Sequence, residues 1–235
     1  MKKKLFLVIG LMTLVMVGCE PNTPSDGNHK GHNYVDLGLS VKWATCNIGA
    51  STPENFGSHF AWGETSTKKV YTWETYKWSK GTEHLLTKYN TNEAHTDAKN
   101  PVVDNKIILD KEDDAAAVHW GGNWRTPTLE EWLELIEQCQ WDWTIMNYTC
   151  GWKITASNGN SIFLPAAGIV SVDSIVGTGE NDNEQYYASY WSNSIAYDYP
   201  YAAWHLHCVT QDTTASMDMD FYSRYYGRTI RPVCE

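Results

Sequence analysis

No apolar run in this chain is long enough to cross a bilayer by itself; residues 5–17 fall short of the roughly 18 that a spanning helix needs. Positive charge is scarce, with 18 Lys and Arg against 28 Asp and Glu, a formal charge of −10. A surface of that sign repels polyanions, which argues against nucleic acid as a partner. There is no CxxC pair, and Cys46, Cys139, Cys150, Cys208 and Cys234 are irregularly spaced, which speaks against a structural zinc site. GxSxG and GxxxxGK[ST] are also missing, and with them the motifs of serine esterases and phosphate-cradling loops. A composition of 42% apolar and 20% charged residues excludes disorder and collagen.

Aromatic residues are plentiful instead. Twelve Trp and fourteen Tyr exceed what a core of this size needs, and rings that reach the surface supply rigid contact area, so the excess points to binding.

The N-terminus reads as an address. Lys2, Lys3 and Lys4 precede the apolar run at 5–17, the pattern of a secretory signal. It ends Leu14-Val15-Met16-Val17-Gly18-Cys19, which resembles the bacterial lipobox and makes Cys19 the expected lipid anchor. Several acyl chains on one residue anchor stably. Removing residues 1–18, with three lysines and no acid, shifts the formal charge to −13. Residues 20–32 (EPNTPSDGNHKGH) hold no aliphatic side chain and read as a flexible tether. The expected organisation is therefore a signal peptide at 1–18, lipidated cysteine and tether at 19–32, and one domain at 33–235. The mature chain keeps an odd number of cysteines in an oxidising compartment beyond Cys19, so at least one thiol stays free or pairs between chains.

Residues 34–44 alternate apolar and other residues around Gly38, as a strand with a bend does. In the Gly- and aromatic-rich stretch 47–63, Phe60-Ala61-Trp62 is the best strand candidate, and 65–103 reads as long loop. Acids at 110–114 precede Ala115-Ala116-Ala117-Val118, placing negative charge at the start of a short helix. Leu129, Trp132, Leu133, Ile136 and Cys139 fall at helical spacing, and Thr128 with Glu131 makes a capping box, so the main amphipathic helix covers about Thr128 to Cys139. Residues 152–156 and 161–165 flank an Asn158-Gly159 turn and predict a hairpin. Segments 190–192, 202–209, 215–221 and 229–233 read as antiparallel strands of one sheet, giving an α+β domain of mostly short antiparallel strands and long loops.

Five segments resemble the Fibrobacter succinogenes major paralogous domain family, common in surface lipoproteins of Bacteroidetes. They are YVDLGLSVKWATCNIGASTPENFGSHFAWGET (34–65), DDAAAVHWGGNWRTPTLEEWLEL (113–135), NGNSIFLPAAG (158–168), YWSNS (190–194) and RYYGRTIRPV (224–233). The resemblance runs in order over nearly the whole mature chain. It implies a C-type-lectin-like fold, a superfamily shared by sugar-binding lectins, formylglycine-generating enzymes and hypervariable receptor-binding proteins. In such folds the first and last strands pair, so residues 34–44 would lie beside 227–233, with the helix of Trp132 against that sheet. Long loops of the second half would present the ligand surface.

Specific chemistries fit less well. The acids at 110–114 suit calcium as hard oxygen ligands, but the twelve-residue loop with a central Gly is missing. The calcium-lectin triplet Glu20-Pro21-Asn22 lies in the tether, and Trp191-Ser192-Asn193 lacks the acid that would complete its motif. Cys208 and Cys234 are the pair a formylglycine-generating enzyme would need, without a cation-rich context. His205 and His207, like Asp218 and Asp220, share the spacing of one strand face and read as its solvated side. Trp43, Trp62, Trp120, Trp124 and Trp132 sit in the family motifs and are expected in the core. Tyr190, Trp191, Tyr197, Tyr199, Tyr201, Trp204, Tyr222, Tyr225 and Tyr226 crowd the last third and are the expected ligand-binding residues.

The reading is a lipid-anchored, non-enzymatic binding module of the cell envelope, at the outer membrane, needing no cofactor and contacting a glycan or a surface protein. Its acid excess suits neutral glycans or basic protein patches better than acidic polysaccharides. The alternatives are a formylglycine-generating-type or hydrolytic surface enzyme, and a structural subunit of a surface assembly.

Overall fold

Trp43 and Val233 are ladder partners, so the two ends of the fold meet. The computed structural model describes residues 26–179, 185–211 and 214–235; the expected signal peptide and Cys19 lie outside these. Strands β1 (Gly27–His29), β2 (His32–Val35) and β3 (Lys42–Ala44) form an antiparallel meander, and β12 (Val233–Cys234) completes the sheet beside β3.

The tether expected up to residue 32 gives way to structure at Asp26. Lys30 and Gly31, both at positive φ, make the two-residue turn that joins β1 to β2. The absence of aliphatic residues misled because histidine rings do the packing. His32 lies flat on Trp120 with ring centroids 3.8 Å apart, and the carbonyl of His29 accepts from Trp124 Nε1 at 2.9 Å.

Helix α1 (Ala115–Trp120) starts at Asp114, whose side chain accepts from the amide of Ala116, and ends at Gly121, where φ is 68°. Helix α2 (Leu129–Gln138) carries the expected capping box between Thr128 and Glu131, and Arg125 grips the Glu131 carboxylate with two donors at 2.8 and 2.5 Å. Such a cap contributes about 1 kcal/mol.

The remaining strands form three further sheets. β4 (Gln140–Met146), β5 (Thr149–Thr155) and β6 (Ser161–Pro165) are antiparallel neighbours; β5 and β6 are the expected hairpin, whereas β4 has no counterpart in the sequence reading. β7 (Ile169–Ser171) pairs with β8 (Ser174–Val176). β9 (Tyr186–Ala196), β10 (Tyr199–Gln211) and β11 (Thr214–Ser223) make the largest ladder, with β10 central. The last third is thus not one sheet: residues 229–233 leave the β9–β11 ladder and end in β12. Phe60 makes a single antiparallel bridge, to Arg228, rather than a strand. Among the described residues the architecture is mainly antiparallel β in small sheets with two α-helices.

Trp132 of α2 is fully buried between Trp43, at 4.7 Å, and Tyr190, at 5.9 Å, which joins the N-terminal sheet to the β9–β11 sheet through one helix face. Trp43, Trp62 and Trp124 are likewise core, while Trp120 is half-buried. Cys46, Cys139, Cys150, Cys208 and Cys234 are all free thiols.

Candidate functional site

Successive residues of a strand point to opposite faces of the sheet, and that alternation builds the site. Tyr190, Leu206 and Cys208 turn one face of the β9–β11 sheet into the core with Trp132 and Trp43, with Met217 and Met219 packed beside them. The other face carries Tyr187, His205, His207, Val209, Asp220 and Tyr222, and here the β7–β8 hairpin, Tyr226 and Arg228 enclose a cleft of about 470 Å³.

Its floor is polar and buried. Arg228, 2% exposed, donates from Nε to Ser189 Oγ at 2.8 Å and from Nη2 to His205 Nε2 at 3.3 Å. A guanidinium only donates, so His205 Nε2 accepts and its Nδ1 carries the proton toward the Leu206 carbonyl at 3.1 Å. The charged carbon of Arg228 sits 4.3 Å from the ring centre of Trp191, 5.6 Å from Tyr226 and 5.8 Å from Tyr222. Arg228 Nη1 and His207 Nδ1 are buried without a hydrogen-bond partner. Burial lowers the Arg228 guanidinium to about 9, still charged at neutral pH. Burial first, and the Arg228 charge second, hold His205 well below its ordinary range; His207 is also lowered, by burial and then Arg228 against the opposing pull of Asp220.

A second cleft, of about 530 Å³, is lined by His32, Ser58, His119 and Trp120. There His119 Nε2 bonds the Thr65 carbonyl at 2.8 Å, and His32 is stacked on Trp120.

The tyrosines and tryptophans expected to form one ligand surface are divided by strand alternation. Tyr222 and Tyr226 line the Arg228 cleft. Tyr190 and Trp191 are corrected to the interior, 0% and 1% exposed, because Tyr190 bonds the Pro165 carbonyl under α2 and Trp191 bonds that of Phe60. Tyr199 stacks on Phe221, which also meets Trp204; these rings lie on the face opposite Tyr222. Tyr201 packs on His95, Tyr225 on Trp73 and Tyr226, and Tyr197 projects from the β9–β10 turn, 62% exposed. His205, expected on a solvated face, is buried, while Asp218 and Asp220 are exposed. Arg228 went unrecognised. The available signal was three arginines, Arg224, Arg228 and Arg231, gathered in one short segment of a cation-poor chain.

The acids at 110–114 form ion pairs and a cap. Asp113 receives Lys88 Nζ at 2.5 Å and Tyr89 Oη at 2.8 Å, and Asp114 receives both donors of Thr126. No group of three or more potential metal ligands occurs among the described residues. Burial pushes the thiols of Cys208 and Cys234 up, which disfavours the thiolate a reactive pair requires.

Four lowered histidines, His32, His59, His205 and His207, give the protein an acid sensitivity. Between their lowered folded values and the ordinary 6.5, the unfolded chain binds more protons than the fold. The contribution is complete above about 6.5 and is lost as pH falls; the raised Asp114 opposes it. Urea midpoints should drop from about pH 7.5 to about pH 5, with a smaller slope in His205→Gln. An equal slope in that variant would remove His205 as the cause.

The chain matches no protein-family model, no curated protein and no solved structure.

Proposed function

We propose that this chain is a non-enzymatic glycan-binding module of the bacterial envelope, held at the outer membrane through a lipid on Cys19. The family resemblance supplies the setting and a C-type-lectin-like fold, and the pairing of β3 with β12 supports that topology. One observation carries the function: a cleft of about 470 Å³ walled by Tyr187, Tyr222 and Tyr226, with His207 and Asp220 among its polar groups. That volume lies in the range of small-ligand sites, and aromatic walls with a few fixed polar groups suit the flat apolar face and hydroxyl rim of a pyranose.

The test is a glycan array probed with the mature chain in detergent. Wild type should bind a restricted set of glycans, and Tyr222→Ala should lose them at least about tenfold while keeping the wild-type urea midpoint. Binding unchanged by Tyr222→Ala would remove the cleft from the function.

A further inference from the structure

We propose that the Arg228 cleft selects a sugar bearing a carboxylate, a uronic acid residue whose carboxylate pairs with the guanidinium while its ring lies against Tyr222. The proposal deepens the glycan reading and rests on it.

The segment from Arg224 to Arg231 buries three guanidinium groups, and their hydrogen bonds separate structural from functional roles. Arg231 places every nitrogen on a protein acceptor: Nε on Asn47 Oδ1, Nη1 on the carbonyls of Ala44 and Thr45, and Nη2 on that of Phe163. Arg224 directs both terminal nitrogens to backbone carbonyls of Lys88 and Tyr89 and leaves Nε without a partner, whereas in Arg228 it is a terminal nitrogen, on the fork itself, that is left free. Arg228 has no carbonyl and no carboxylate. Its acceptors are one hydroxyl and one neutral imidazole, and Nη1 has none. A buried cation without an anionic partner is costly, and a guanidinium fork matches the two oxygens of a carboxylate.

The surroundings favour a single negative charge. Trp191, Tyr222 and Tyr226 stabilise the cation through their rings but give Nη1 no acceptor. Asp220, the acid lining the cleft, is exposed and turns Oδ1 to the Phe221 amide at 2.8 Å. It suits a sugar hydroxyl, and its charge disfavours a dianion such as phosphate more than a monoanion. His207 Nδ1, buried without a partner, provides a second polar contact for the ring substituents. Arg228 is 2% exposed, so the rings of the cleft must give way to admit the carboxylate, and Tyr222, half exposed with its ring centre 5.8 Å from the guanidinium carbon, is one of them. The overall acid excess does not decide the matter, because beyond a Debye length of about 8 Å in physiological salt it is screened, whereas the contact with Arg228 is not.

The experiment is calorimetric titration of the mature chain in detergent with oligosaccharides of glucuronate, galacturonate and mannuronate, each against its methyl ester. An acid should bind at least about tenfold more tightly than its ester, and Arg228→Gln should abolish the difference. If Arg228→Gln does not fold, wild type decides: the preference for the acid over its ester should persist at about 1 M salt, where distant charges are screened and contact pairing is not, and loss of the preference there would overturn the proposal. Equal binding of acid and ester overturns the carboxylate and leaves the glycan reading standing. Preference for a glutamate-rich peptide over every uronate overturns the proposal in favour of an acidic protein. Failure of all these sugars while the glycan array shows only neutral binders overturns it too, and an array with no binder at all overturns both readings.

Discussion

Arg231→Met should lower the unfolding free energy by about 3–5 kcal/mol, the largest effect expected from any single change outside the central tryptophans. The guanidinium is fully buried and satisfies three backbone carbonyls and one side-chain oxygen, drawn from the end of β3, the following loop and β6. Methionine fills much of the space but donates nothing, so those acceptors are left dry and unpaired. Arg231→Lys should recover less than half of the loss, because an ammonium on a flexible stem cannot reach acceptors spread around a planar fork. Urea titration measures both. A loss below about 1 kcal/mol would mean the carbonyls find other donors, and that Arg231 does not hold β3 and the loop after it to β6.

Trp191→Ala should be comparably damaging, at about 3–5 kcal/mol, and it separates core from site among rings that look alike in the sequence. Trp191 is buried, donates Nε1 to the Phe60 carbonyl at 2.8 Å, accepts from Trp132 Nε1 through its own carbonyl at 3.3 Å, and lies under the Arg228 guanidinium. Its loss opens a cavity and removes the face against which Arg228 rests. Tyr222, half exposed, should cost under about 1 kcal/mol on truncation to alanine. Both variants should lose ligand, but only Trp191→Ala should also lose near-UV circular dichroism and shift the urea midpoint. Comparable midpoints for the two would place Trp191 outside the core.

How far the sequence could be read varied with the range of the signal. The α2 capping box, the Asn158-Gly159 hairpin and the acids before α1 are local patterns, and each recurs in the structure. Strand β4 escaped because Trp141, Asp142 and Trp143 follow α2 without a breaker, and its pairing with β5 rather than its composition makes it a strand. The tether boundary failed for a similar reason: His29 and His32 are ordered by Trp124 and Trp120, far along the chain. For the site, clustering of rings in the last third was visible, but which ring reaches solvent was not. A bulge-containing register in β10 sends Tyr199 and Trp204 to one face, while the alternation of β11 sends Tyr222 to the other.

Composition and short-range pattern alone determined the acidic charge, the lipobox-like start, the capped helix and the abundance of rings, because each is set by residues close together in the chain. Tertiary structure alone decided that Trp191 and His205 are interior, that Arg231 is saturated and that Arg228 is not. Those outcomes depend on which carbonyls and rings distant segments bring within hydrogen-bond reach, and burial turns a missing partner from a trivial fact into a costly one.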